Sequence, residues 1–148
     1  MDQHAHQQQT FSVSIKGVVV RDGKVLLLRN EREEWELPGG RIEVGETPEE
    51  CVAREILEET RWKVRTGPIL DTWMYYINAA DKHVFIVTYG CYPRENTQPV
   101  LSHEHKEIGL FTEKEVPKLF MPDGYKHSIA TWYARLREHA SRLGGCRQ

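Results

Sequence analysis

Alternating apolar and polar positions mark several segments of the chain as strands. Residues 11–20 alternate in part and are rich in Val and Ile, which is typical of a strand. Asp22-Gly23 follows, a pair that accepts positive φ and favours a tight hairpin turn before the short apolar run at residues 25–28. Three later segments share this β-rich composition: residues 69–77, 84–92 and 108–112. The polar residues 78–82 predict a hairpin connection between the first two.

Two segments have helical features. The run Thr47-Pro48-Glu49-Glu50 offers a capping threonine, a proline at the first helical position and a glutamate that completes a capping box. It predicts a helix that continues to about Thr60. Near the C-terminus, apolar residues recur at helical spacing and predict a stripe that faces the core: Ile129, Trp132, Tyr133, Leu136, Ala140 and Leu143. Residues 35–45 contain one proline and three glycines, which predicts an irregular, turn-rich loop.

Strands before, between and after the helices predict an α/β fold with a mixed sheet. A length of 148 residues suits a single domain. The polar residues 1–10 lack the apolar stretch of a signal peptide, so we expect a disordered tail followed by one domain over residues 11–148. His4 and His6 lie in this tail and offer at most an adventitious metal site.

Composition narrows the range of partners. The net charge is −2 and the sequence pI is about 6.4, so we expect no extended nucleic-acid surface and no attraction to an anionic membrane. No segment approaches the ~20 apolar residues of a membrane span. The three cysteines, Cys51, Cys91 and Cys146, are odd in number and lack a CxxC pair, which indicates reduced thiols and a cytoplasmic location.

A helical wheel divides the first helix into two faces. One face gathers Val52, Ala53, Ile56, Leu57 and Thr60, and the other gathers Arg54, Glu55, Glu58 and Glu59, with Cys51 among them. Like charges at these spacings repel one another by a few tenths of a kcal/mol per pair. Either this is a solvated charged face, or a hard divalent cation neutralises the three carboxylates. Gly39-Gly40, just before the helix, favours the second interpretation because a nearby backbone carbonyl would add an oxygen ligand.

This segment resembles the Nudix box, GX5EX7REUXEEXGU with U an aliphatic residue. Here the pattern begins at Gly40, continues through Glu46 and Arg54-Glu55-Ile56, and reaches Glu58-Glu59. The preceding Trp35-Glu36-Leu37-Pro38-Gly39 also resembles the lead-in that is usual in this family. Two positions depart from the pattern: Arg61 replaces glycine and Trp62 replaces an aliphatic residue. An arginine held at positive φ would cost on the order of 1 kcal/mol, unless the helix exits differently.

The resemblance implies an α/β/α sandwich around a mixed sheet and a metal-dependent hydrolase of the diphosphate linkage in a nucleotide or related molecule. It implies Mg²⁺, or Mn²⁺, held by Glu55, Glu58 and Glu59 with the Gly40 carbonyl. Arg54 and Glu46 would orient these ligands by hydrogen bonds. Water would attack phosphorus, with Glu55 or Glu58 as candidate general base. Homodimers are common in the family, so a homodimer is a further expectation.

A later loop, residues 99–107, offers Glu104 and Glu107 as further acids. Glu104 is preferred as an additional metal ligand and catalytic base, because its distance from the following strand resembles that of the family's extra ligand. A solvated loop glutamate is the alternative. His103 and His105 flank it, and without a third ligand they indicate substrate contact or exposure rather than zinc.

Candidate substrate-binding residues are Arg29, Trp35 and Tyr76, for a phosphate and a base, although aromatic residues on strands are more often core. The proline that accompanies many ADP-ribose hydrolases is absent from residues 71–80, and no coenzyme A signature is present. A nucleoside triphosphate is therefore the first expected substrate. Two alternative hypotheses about function stay open: a catalytically silent domain that senses a nucleotide, and a pyrophosphohydrolase acting on RNA 5′ ends.

Overall fold

The computed structural model describes residues 9–145, and the elements within this range are seven strands and two long helices. Two short 3₁₀ turns, Asn78–Ala80 and Val116–Lys118, complete the order. The predicted tail at residues 1–10 and Cys146 fall wholly or largely outside the described residues. In chain order the elements are β1 Ser12–Arg21, β2 Lys24–Arg29, β3 Trp35–Glu36, β4 Gly39–Arg41, α1 Pro48–Thr60, β5 Val64–Ile77, β6 Lys82–Pro93, β7 Glu107–Thr112 and α2 Asp123–Gly145.

The strands form one mixed sheet with the order β3-β2-β1-β6-β5, to which β4 pairs on β1 and β7 pairs on β2. Within residues 9–145, only β1 and β6 pair in parallel, and the other strand pairs are antiparallel. Asp22 and Gly23 both have positive φ, 53° and 78°, which confirms the predicted tight turn between β1 and β2. The 3₁₀ turn Asn78–Ala80 likewise joins β5 to β6, as the polar stretch predicted.

The two helices cover different sets of core residues, and strand alternation separates the sets. In β1, Ile15 and Val19 pack with Val52 and Ile56 of α1. Val18 belongs instead to the cluster that contains the inner residues of α2. The helix-sheet-helix layering expected from the resemblance is therefore confirmed.

The loop predicted at residues 35–45 is more ordered than expected, because it contributes β3 and β4. Gly39 makes this possible: its φ is 145°, and a Cβ there would lie 2.0 Å from the Ile15 carbonyl oxygen. Only glycine allows two backbones to approach this closely. The strand predicted at residues 69–77 is also longer than expected. It begins at Val64 and has register irregularities between Thr66 and Asp71.

The predicted apolar stripe of α2 is correct for its first part and wrong for its end. Ile129, Trp132 and Tyr133 are buried, and Leu136 packs partly against the same cluster. Ala140 and Leu143 are exposed and belong to neither core cluster, so the last turns of α2 do not pack against the core. Among the described residues, Cys51 and Cys91 are free and buried. No helix within residues 9–145 has both the length and the apolar character needed to cross a membrane.

Candidate active site

The first helix presents its glutamates at one end of the sheet. Thr47 caps the helix: its hydroxyl accepts from the Glu50 amide, and the Glu50 carboxylate accepts from the Thr47 amide, as the capping box predicted. The wheel assignment needs correction, however. Cys51 and Glu59 lie on the buried side of the helix, whereas Leu57, predicted to be inside, is 38% exposed. The buried side is thus rotated toward Glu59, which enters the protein interior beside β4.

Gly40 brings the loop before the helix against the helix itself. A Cβ at Gly40 would lie 2.5 Å from the carboxyl carbon of Glu55. The loop backbone and this carboxylate are therefore in contact, and any side chain at position 40 would separate them. The Gly40 carbonyl accepts a weak hydrogen bond from the Cys51 thiol at 3.7 Å.

Arg54 lies at the centre of the carboxylates. Its Nε and Nη2 donate to the two carboxylate oxygens of Glu46, at 2.9 and 2.8 Å. Its Nη1 donates to Glu55 at 3.1 Å and to Glu58 at 3.3 Å. These hydrogen bonds from Arg54, with one from the Glu43 amide, hold the pKa of Glu46 at about 2. The paired fork fixes the orientation of the guanidinium between the box carboxylates.

Glu55 and Glu59 experience a different environment from Glu46. Burial raises the pKa of Glu55, and the neighbouring charge of Glu58 adds to this effect against the opposing charge of Arg54. Burial also raises the pKa of Glu59 to about 7, although Lys16 and the Gly39 amide oppose the change. The Gly39 amide donates to Glu59 at 2.8 Å. The site therefore concentrates negative charge that is only partly neutralised by protein groups.

The 94–106 loop brings Glu104 to the same place. Two adjoining cavities, about 470 and 330 Å³, share Glu55, Glu59 and Glu104 in their walls. The smaller cavity is also lined by Glu58 and Arg54. The four predicted acidic ligands thus face one cleft, called the carboxylate cleft below. Gly40 lines its larger cavity.

The loop is fixed by contacts that its own sequence does not reveal. The Trp62 indole N–H donates to the Thr97 carbonyl at 3.0 Å, and the Val100 amide donates to the Thr60 carbonyl at 2.9 Å. Trp62 is 1% exposed. Its indole, which replaces the aliphatic residue of the Nudix box, therefore fills the core and also anchors the loop. The C-terminal end of α1 therefore holds the segment that carries Glu104.

A buried cluster in the wall of the cleft's larger cavity was missed by sequence reasoning. His105, predicted to be exposed or in contact with substrate, has a side chain only 8% exposed. Its Nε2 lies 3.0 Å from Glu36 and 3.5 Å from Glu59. Burial opposes the charged imidazole, but the bond to Glu36 and the charge of Glu59 raise the pKa of His105 above its usual value. One feature of the sequence could have indicated this cluster. Lys16 is a charged residue within the predicted first strand, and its position is buried in the structure.

The three predicted substrate-binding residues lie outside the carboxylate cleft. Arg29 forms ion pairs with Glu33 and Glu107 at the end of β2. Trp35 packs edge-on against Phe111, with ring centres 4.7 Å apart. The hydroxyl of Tyr76 donates to Asp81, and its ring lies against His83. Their role in substrate binding stays a prediction.

The donor atoms of the cleft suit a hard cation, although they are not preassembled around one. Within residues 9–145, no three His, Cys, Asp or Glu side chains are grouped as a ready-made metal site. Arg54 instead stands between Glu55 and Glu58, and Glu59 turns toward Gly39 and His105. Ser102 Oγ, in the wall of the smaller cavity, is buried without a hydrogen-bond partner in the described part of the chain. Carboxylate oxygens and an unsatisfied hydroxyl favour a divalent, oxygen-binding ion.

Comparison with known proteins identifies the family. The model of the NUDIX domain matches residues 11–136. A MutT-like protein of Streptomyces ambofaciens is 36% identical over 116 residues, which are 77% of this chain and 72% of the relative. An ADP-ribose pyrophosphatase of Methanocaldococcus jannaschii is 43% identical over 53 residues, 33% of this chain and 31% of that protein. The alignment with this archaeal relative therefore spans about a third of its length.

Solved structures show the same fold. The crystal structure of a MutT protein from Methanosarcina mazei Go1 superposes with a TM-score of 0.74 at 22% identity, and covers 87% of this chain and 97% of that one. The chain therefore belongs to the Nudix hydrolase family, as its box predicted. Hydrolases of this family generally need a divalent metal ion.

Proposed function

We propose that this protein hydrolyses the diphosphate linkage of a nucleoside triphosphate or a related nucleotide, with Mg²⁺ or Mn²⁺ as the metal. The observation that carries the proposal is that Glu55, Glu58, Glu59 and Glu104 all line one cavity although Glu104 is distant in sequence. A bound divalent cation would offset the repulsion among these carboxylates more fully than Arg54 does. When bound, the cation would neutralise phosphate oxygens and polarise the attacking water.

The chain's own residues have separate tasks in this proposal. Glu55, Glu58 and Glu59 would hold the metal, with the Gly40 carbonyl and Glu104 as further ligands. Arg54 would release Glu55 and Glu58 while its two bonds to Glu46 keep it oriented. The attacking water forms a bond to phosphorus, the phosphorus–oxygen bond to the leaving phosphate breaks, and a carboxylate accepts the proton of the water.

Glu104 is the carboxylate that we assign to proton transfer. Glu55 and Glu58 both accept hydrogen bonds from Arg54, which lowers their availability as bases. Within residues 9–145, no hydrogen bond or ion pair involves Glu104, and it lines both cavities of the cleft. Its exposed carboxylate, without such bonds, suits a group that must approach a water molecule.

The test is phosphate and pyrophosphate release from nucleoside triphosphates, nucleotide sugars and dinucleoside polyphosphates. We expect turnover with Mg²⁺ or Mn²⁺ and none with chelator. Glu104→Gln and Glu58→Gln should each lower kcat about 100-fold or more, as expected for loss of a general base or of a metal ligand. Glu138→Gln, on the exposed side of α2, is the matched control and should leave kcat unchanged.

The results separate the alternatives. An unchanged kcat in Glu104→Gln would remove Glu104 from the mechanism without touching the hydrolase assignment. Nucleotide binding without turnover across the panel would favour the silent sensor. Preferential release of pyrophosphate from 5′-triphosphorylated RNA, with binding that weakens steeply as salt rises, would favour the RNA 5′-end alternative.

A further inference from the structure

The backbone on either side of Glu104 is held by hydrogen bonds to other elements. Before it, the Val100 amide donates to the Thr60 carbonyl at 2.9 Å, and after it, the Lys106 amide donates to the Arg29 carbonyl at 3.0 Å. The Glu104 carboxylate lines the cleft but makes no hydrogen bond or ion pair to any residue that the structure describes. Its place in the cleft therefore depends on how firmly the loop backbone is held.

The first of these attachments is reinforced at Thr97, where two side chains donate to one carbonyl oxygen. The Trp62 indole N–H donates to it at 3.0 Å and Arg21 Nη1 at 2.5 Å. The Arg21 guanidinium also lies over the Trp62 ring, 4.2 Å from the ring centre. Arg21 ends β1 and Trp62 follows α1, so two elements hold one peptide group of the loop. We call this arrangement the Arg21–Trp62 clamp.

The clamp requires tryptophan and not merely an apolar residue at position 62. Trp62 belongs to the core cluster that contains Val52 and Ile56, where an aliphatic side chain would also be buried. An aliphatic side chain has no N–H to donate and no ring face for a cation. The residue that departs from the Nudix box therefore adds a connection between the core and the loop that the box pattern does not provide.

We propose that Arg21 and Trp62 are positioning residues, which act through the Thr97 carbonyl to keep the Glu104 carboxylate in the carboxylate cleft. This inference rests on the proposed function, in which Glu104 accepts the proton of the attacking water. Neither clamp side chain is among the described residues that line the cleft. A misplacement of about 1 Å in a reacting group can lower the rate about 100-fold. Loosening the clamp should therefore lower kcat without weakening substrate binding.

The first test compares Trp62→Phe with Trp132→Phe. Both changes keep an aromatic ring in the core, and Trp132 is 2% exposed. The Trp132 indole N–H is buried and has no partner over the described range, so its loss removes no hydrogen bond. We expect Trp62→Phe to lower kcat about tenfold with KM within about twofold, and Trp132→Phe to change neither by more than about twofold. General loosening of the core would instead lower kcat in both variants.

A second pair of variants keeps the test valid if Trp62→Phe folds poorly. Arg21→Met removes the guanidinium, and Arg65→Met is its matched control, since the Arg65 guanidinium lies 4.4 Å from the centre of the Tyr92 ring. Neither arginine belongs to a core cluster. We expect Arg21→Met to lower kcat about threefold or more, and Arg65→Met to leave kcat and KM unchanged.

A double-mutant cycle with Glu104→Gln shows whether the clamp acts through Glu104. In the Glu104→Gln background, Trp62→Phe should cause no further loss of kcat, because the group that it positions is already absent. The same fold loss in both backgrounds would overturn the inference. So would an unchanged kcat in both Trp62→Phe and Arg21→Met.

Amide hydrogen exchange measures the clamp without any need for activity. We expect peptides from residues 94–106 to exchange about tenfold faster in Trp62→Phe and at the wild-type rate in Trp132→Phe. If the wild type hydrolyses no nucleotide, the proposed function fails, and this difference would still support the attachment of the Glu104 segment by the clamp. Unchanged exchange of the loop in Trp62→Phe would overturn the clamp whatever the activity.

Discussion

At the scale of single residues, the most informative feature is the buried polar cluster in the wall of the carboxylate cleft. Glu36 accepts from Asn30 at 3.1 Å and faces His105 at 3.0 Å. Burial alone would raise the pKa of Glu36, but Lys16, His105 and Asn30 together lower it from 4.5 to about 2. The ionised carboxylate is therefore favoured by the fold.

This depression predicts how stability changes with pH. Because the folded-state pKa is lower than the unfolded one, the contribution of Glu36 is fully present above pH 4.5 and is lost as pH falls through about 2. Glu36→Gln should lower the free energy of unfolding at pH 7 by about 3 kcal/mol. The deficit should shrink as pH falls below 4.5, as measured by urea unfolding in chelator from pH 7 to pH 3.

Glu95→Gln is the matched control for this experiment, since Glu95 forms an exposed pair with Lys63. It should change the unfolding free energy by less than about 0.5 kcal/mol. A deficit in Glu36→Gln that stays constant from pH 7 to pH 3 would contradict the assignment of its stabilising effect to the charge.

At the scale of elements, the end of helix α1 shows how the protein accommodates Arg61 where the Nudix box has glycine. Arg61 caps the helix with φ 66° and ψ 6°, and its amide donates to the Leu57 carbonyl at 2.9 Å. The helix therefore ends in the left-handed conformation that glycine usually provides, and the arginine is held there. The box geometry is retained because the cap depends on the backbone and not on the side chain.

Arg61→Gly should therefore stabilise the protein, by about 1 kcal/mol in urea unfolding. The gain comes from removing a Cβ that disfavours positive φ. Arg61→Ala keeps the Cβ and is the matched control, for which we expect no comparable gain. Equal stabilisation by both variants would show that loss of the arginine charge, and not backbone conformation, is responsible.

At the scale of the whole molecule, the cleft depends on three separate parts of the chain. The β4 loop supplies Gly40, α1 supplies the box glutamates, and the 94–106 loop supplies Glu104. Trp62 and Thr60 tie that loop to the end of α1. A ligand that contacts all three parts binds the folded state and not the unfolded chain, so it should stabilise the whole domain.

Mg²⁺ or Mn²⁺ should therefore raise Tm, by about 2–4 °C for each kcal/mol added to the free energy of unfolding, a gain that grows with metal concentration. Differential scanning fluorimetry with either chloride measures the shift, with NaCl of equal ionic strength to remove general screening. Glu58→Gln should weaken the metal-dependent shift, whereas Glu138→Gln should retain it. A shift that is the same in NaCl, or unchanged in Glu58→Gln, would argue against a metal at these carboxylates.

The sequence by itself determined the elements whose signals are local. The Asp22-Gly23 turn, the Thr47 cap, the box helix and the inner part of the α2 stripe depend on neighbours within a few residues, so their patterns predicted them correctly. The Nudix box also identified the family, because its fixed residue spacing reflects the geometry of one loop and one helix. The apolar spacing of α2 continues to Ala140 and Leu143, but no core surface covers these residues, so the prediction that they are buried was wrong.

Only the tertiary structure decided the features that join distant residues. Burial of Cys51 and Glu59 depends on how α1 rotates against β1 and β4, which a wheel of the helix alone cannot fix. The His105–Glu36 contact joins residues 69 positions apart, and the hydrogen bond from Trp62 to Thr97 joins residues 35 positions apart. Local propensity acts through the nearest backbone, whereas burial and cleft formation depend on which surfaces the whole chain brings together.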